Sequence, residues 1–188
     1  MFEPPNVYYI YFPGTIGGDY HNDEGGGSNF LCLPHDPEYS KHVQVETEDK
    51  RARARISGVE FEYIEDFKKL FTLPKKKTGL ENDHPTALCS VCQTHAKLNV
   101  LMIPARIHCP SGWTREYQGY LMATQQYMKR TEYICVDHKP DISKGAGQWN
   151  KGGLLHFVET SCGVLECHKR VKGKYRENWE VTCVVCSR

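Results

Sequence analysis

The chain has 188 residues, nine cysteines and a formal charge of +1. That balance supplies no attraction for nucleic acid or an anionic membrane as main partner, and no run of about eighteen apolar residues exists to cross a bilayer as a helix. A chain of this length buries about 70% of its unfolded surface, so a single globular domain over residues 1–188 is expected.

In chain order, the opening MFEPPN has none of the basic and apolar character of a secretory signal. Residues 7–12 are an aromatic, β-branched run carrying Tyr8, Tyr9 and Tyr11, expected to end as a strand at Pro13-Gly14. Residues 25–29, GGGSN, lack the lysine and strand-to-helix setting of a phosphate loop and read as a tight turn. Asp19, Asp23 and Glu24 nearby do not follow calcium-loop spacing. In residues 55–63, Val59, Phe61 and Tyr63 alternate with Glu60 and Glu62, as in a half-buried strand. Ile64, Phe67, Leu70 and Phe71 then fall at helical spacing before Pro74. Residues 72–88, with three consecutive lysines, read as a surface loop, and so do residues 138–153. Further strands are expected over residues 98–103, 117–123, 132–136, 154–160 and 179–185. The expected fold is β-dominated α+β: antiparallel strands, long Gly/Pro loops and one or two short helices, stapled by disulfides. No internal repeat stands out.

The cysteines admit three chemistries. Zinc needs four converging thiolates or imidazoles, but the CxxC pairs at Cys89/Cys92 and Cys183/Cys186 lie too far apart in sequence for a zinc ribbon. Thioredoxin-like redox needs a CxxC opening a helix, whereas Cys183 sits in the β-branched run VTCVVC. Disulfides in an oxidising, extracellular compartment suit the dispersed Cys109, Cys135, Cys162 and Cys167 best. An odd count leaves one thiol free or bonded to another chain. Cys32, alone in the first eighty residues, is the expected one, with the other eight in bridges. Cys183 and Cys186, three apart on a strand, point to opposite faces and should bond to different segments. For Cys89 and Cys92 a local bridge or two separate bonds are both open.

Catalysis finds no assembled constellation: there is no HExxH and no GxSxG, and the nine histidines are scattered. No catalytic residue, metal or cofactor is therefore assigned.

Several stretches, taken in order, carry a resemblance. They are GGGSNFLCLPHDPEY from Gly25, GVEFEY from Gly58, CSVC from Cys89, MIPARIHCPSGWTREYQGYLMA from Met102, YICVD from Tyr133, FVETSCGVLEC from Phe157 and VTCVVC from Val181. Together they resemble the globular domain of invertebrate short-chain collagen-like proteins of sponges, cnidarians and molluscs. The resemblance implies a secreted, disulfide-bonded module. In the family pattern a further cysteine, in a segment resembling GRxxCP, precedes the first strand. Here MFEPPN stands in its place, and one cysteine loses its usual partner. The collagen tract is also missing.

Two functions of different classes follow. One is an extracellular structural module that associates with copies of itself or with matrix proteins, with Tyr8, Tyr9 and Tyr11 on a candidate strand edge. The other is a lectin-like module in which exposed aromatics stack on carbohydrate, with Trp149 and Trp113 as candidate platforms.

Overall fold

The computed structural model describes residues 9–39, 54–62, 69–73, 84–93, 99–143, 152–167 and 175–188. Its strands are β1 (Tyr9–Gly18), β2 (Leu31–Pro34), β3 (Ser57–Phe61), β4 (Thr86–Gln93), β5 (Val100–Pro104), β6 (Thr114–Ala123), β7 (Ile134–Asp137), β8 (Ile142–Ser143), β9 (Gly153–Phe157) and β10 (Thr182–Ser187). They form one open mixed sheet in the order β2-β1-β4-β3-β9-β6-β10-β5, with β7 on β6 and β8 on β4. The strands pair antiparallel, as expected, with one parallel pair, β3–β9. No helix occurs among the described residues. The predicted one falls mostly outside them, but Phe71 at its end packs into the core.

The sheet is rolled. β7 leads through residues 138–141 into β8, and the Leu88 amide donates to the Asp141 carbonyl at 3.2 Å, which ties that segment to β4. Strands far apart in the sheet thereby line one interior. Val59 and Phe61 from β3, Ala87 from β4, Met122 from β6, Val136 from β7, Ile142 from β8 and Leu155 from β9 form the core with Phe71. Phe71 meets Phe157 at 4.9 Å and Tyr120 at 6.0 Å between ring centroids, in tilted and edge-on geometries that aromatic quadrupoles favour.

The pairing reveals a repeat that the sequence scan does not. β1 holds β2 on one edge and β4 on the other, with β3 at its end; β6 holds β7, β10 and β9 in the same way. Setting Gly14 on Gly119 aligns the registers. Gly14 faces Cys89 while Ile16 faces Cys32; Gly119 faces Cys183 while Leu121 faces Cys135. Both central strands bulge at the same position, Tyr11 between Ile10 and Phe12, and Glu116 between Arg115 and Tyr117. The sequences FLCLPHDP from Phe30 and YICVDHKP from Tyr133 then fall on one another. Two similar halves therefore build the fold, joined through the parallel pair β3–β9.

The glycines at the matching positions have a common reason. A Cβ on Gly119 would lie 1.8 Å from the Val136 carbonyl oxygen, and one on Gly14 would lie 2.3 Å from that of Leu33. Each is a close approach of neighbouring backbone that only glycine permits. This also explains why β1 runs on to Gly18 and does not stop at Pro13-Gly14.

Candidate functional site

The disulfides follow the repeat. Cys32–Cys89 and Cys135–Cys183 each join the two strands that flank a central strand, both with Cα atoms 5.8 Å apart. Cys109–Cys186 ties the segment before β6 to the end of β10, and Cys162–Cys167 closes a small loop. The described residues include all nine cysteines, and Cys92 is the one left unbonded and exposed. Two expectations are thereby corrected: Cys32 is bridged, and Cys92 is the free thiol. Cys32 is isolated in sequence only, because β2 and β4 flank the same strand. Cys89 and Cys92 are three residues apart on β4, so their side chains point to opposite faces and Cys92 cannot reach the Cys32–Cys89 bond. The same geometry sends Cys183 and Cys186 to different partners, as expected. Partial desolvation pushes the Cys92 thiol above its usual pKa.

Around Cys92 the halves differ. Cys186 is fully buried, and its strand is covered on both edges, by β6 and β5. β4 has β1 on one edge; on the other, β8 reaches only Ala87, and the contact ends at the Leu88–Asp141 hydrogen bond. From Ser90 to Gln93 the strand is exposed, and no strand among the described residues lies along that edge.

A second open edge lies at the far end of the sheet. Among the described residues β5 pairs only with β10, and it exposes successive apolar residues: Val100 is 64% accessible, Leu101 41% and Met102 36%. Adjacent residues of a strand face opposite sides, so this strand is apolar on both faces, and its other backbone edge is unpaired among the described residues. Sequence reading placed the strand here but not its exposure.

The expected ligand and interface aromatics are dispersed. Tyr11 is exposed on the β1 bulge, Tyr9 opens β1, and Tyr8 lies outside the described residues, as does Trp149. Trp113 is half-buried just before β6. Trp179 is 56% accessible, but the Arg176 guanidinium sits 4.2 Å over its ring and occupies one stacking face.

Glu60 and Glu62 correct the half-buried reading of β3, since both are buried although they face away from Val59 and Phe61. With β4 and β9 alongside and cover on both faces, β3 carries its polar partners inside. His156 Nε2 lies 2.9 Å from Glu62 Oε2. Burial pushes the His156 pKa down, and the Glu62 carboxylate opposes that shift. Burial raises the Glu60 pKa, with His84 pulling the other way. His21 is also buried, its Nδ1 bonded to the Gly152 carbonyl at 3.0 Å and its Nε2 to the Asn22 amide at 2.9 Å. Of these interior groups, His156 is paired with Glu62, and His21 is held by the Gly152 carbonyl and the Asn22 amide.

The glycine-rich turn is held by a cation. Lys129 Nζ pairs with Asp19 Oδ2 at 2.5 Å and also donates to the Gly25 carbonyl. Gly26, at φ 95°, would place a Cβ 1.8 Å from that carboxylate oxygen. Asp19 is thus committed to Lys129.

No protein-family model matches the chain, and neither does any curated protein or solved structure.

Proposed function

We propose that the protein is an extracellular structural module that associates with copies of itself. The observation that carries this reading is β5, which among the described residues is an end strand with an unpaired backbone edge and apolar side chains exposed on both faces. Soluble proteins ordinarily blunt such edges with charge, proline or a covering segment. Val100, Leu101 and Met102 offer neither charge nor cover, and strand-to-strand addition satisfies both the backbone and the apolar surface. Four disulfides suit an oxidising compartment and a fold that must withstand handling outside the cell. The sequence resemblance to matrix-linked modules points the same way. Such an association should bury more than about 1,000 Å².

The test is a sedimentation-velocity concentration series on the intact protein and on the Leu101→Lys/Met102→Lys variant. Wild type should shift to larger species with concentration, and the variant should need at least a tenfold higher concentration to do so. A wild-type chain that remains monomeric throughout would reject the proposal.

A further inference from the structure

We infer that the open edge of β4 is a self-complementary docking site at which two copies pair antiparallel about Cys92 and join through a Cys92–Cys92 disulfide. This rests on the self-association reading and gives it a covalent contact.

The argument is a comparison of equivalent positions. In the second half, β10 receives two things at one edge: the strand β5, and a sulfur from Cys109 onto Cys186. In the first half, β4 keeps the same register on its central strand, with Cys92 opposite Ile10 where Cys186 is opposite Arg115. Yet its outer edge carries no strand beyond Leu88 among the described residues, and Cys92 has no sulfur partner.

A second copy supplies both. Its only unbonded cysteine is Cys92, and its β4 presents the same free edge. When identical strands pair antiparallel about a two-fold axis, the residue on the axis faces itself. Facing Cα atoms in such a pair lie about 4.5–5.5 Å apart, inside the roughly 4.4–6.8 Å that a disulfide spans. Ser90, Val91, Cys92 and Gln93 carry no charge, so no like-charge repulsion opposes strand meeting strand. The contact is isologous and closes at two copies; combined with the β5 edge, it would link pairs into longer arrays. Bond formation is thiol–disulfide exchange. One Cys92 thiolate attacks a low-molecular-weight disulfide such as oxidised glutathione and releases one glutathione thiolate. The second Cys92 thiolate then displaces the other glutathione. Two thiol protons and two electrons leave the protein, and the glutathione disulfide is reduced to two thiols.

The experiment incubates the full-length chain in a glutathione redox buffer and follows it by non-reducing electrophoresis and peptide mass mapping. The expected result is a covalent dimer containing a Cys92–Cys92 peptide and absent from Cys92→Ser. Val91→Lys/Gln93→Lys places lysines opposite one another across the axis, and should slow dimer formation at least tenfold while Cys92 still reacts with a small thiol reagent at the wild-type rate. A monomer carrying glutathione on Cys92, or a lysine variant that dimerises as fast as wild type, overturns the inference. If wild type forms no covalent dimer yet still associates through Leu101 and Met102, this inference fails while the proposed function stands. Loss of both fails both.

Discussion

The two halves of the molecule share one four-strand arrangement finished to different degrees. Around β6 the scheme is complete: β10 is covered on both edges, Cys186 is bridged, and a small bridged loop, Cys162–Cys167, is added. Around β1 one sulfur bridge recurs, Cys32–Cys89, but the counterpart of Cys186 is left exposed. The difference separates what the architecture requires from what it tolerates. A bridge between the strands flanking the central strand, and a glycine beneath the close approach, occur in both halves. The bridge from the segment before the central strand occurs in one.

The comparison can be pushed in either direction by removing sulfur from one half or the other. Replacing Cys109 and Cys186 together by serine makes the second half resemble the first; the bridge closes a loop of sequence separation 77. Its loss should cost about 4 kcal/mol in denaturant unfolding, whereas Cys92→Ser should change stability by less than about 0.5 kcal/mol. In the other direction, Cys92→Ser should remove the free thiol in a thiol titration and, with it, the covalent dimer. If the C109S/C186S and C92S variants are equally stable, the halves are not energetically distinct.

A somewhat smaller effect is expected at the shared glycines. Gly119→Ala drives a Cβ into the backbone of β7 and should cost about 3 kcal/mol. Gly14→Ala meets the Leu33 carbonyl and should also destabilise, by less, because the approach is less close. Urea unfolding of both variants checks the ranking. A neutral Gly119→Ala would mean that β6 and β7 are not so closely apposed.

The smallest effect concerns pH. His156 has its pKa lowered by burial, so the native state favours the neutral ring. Its contribution to stability is fully present above the unfolded value near 6.5 and is lost as pH falls through the lowered folded value. Glu60 has the opposite sense: its raised pKa makes its contribution present at low pH and lost as pH rises through the folded value. Below about pH 6.5, stability should therefore fall by at most about 1.4 kcal/mol per pH unit from His156, and a His156→Gln variant should show a shallower slope. Equal slopes for the two proteins would remove His156 from the account.

Much of the sheet is legible in the sequence. The runs that become β3, β5, β6, β7, β9 and β10 carry the alternation or β-branched content that strands need, and their predicted bounds differ from the observed ones by a few residues. β4 is the instructive miss. Thr86 to Gln93 has only Ser90 and Val91 between its cysteines, and half of it is exposed, so no periodic apolar signal marks it as a strand. β2 and β8 are too short for periodicity to show. The burial of Glu60 and Glu62 is invisible for a different reason. It depends on neighbours from β4 and β9 that are distant in sequence. The repeat escapes a linear scan because the two halves share only scattered anchors, such as Gly14 with Gly119 and Cys32 with Cys135, whose equivalence appears once strand registers are compared. For the free thiol, isolation along the chain is a poor guide. Cys32 lies far from other cysteines in sequence and close to one across β1.

The account turns on which sulfur is unbonded, and thiol mapping reads that directly. The unreduced, denatured protein is alkylated in its monomeric form, digested without reduction, and analysed by mass spectrometry. Label on Cys92 alone, with linked peptides for Cys32–Cys89, Cys109–Cys186, Cys135–Cys183 and Cys162–Cys167, is the predicted result. Label on Cys32, or a linked Cys89–Cys92 peptide, would contradict it and dissolve the equivalence of the two halves.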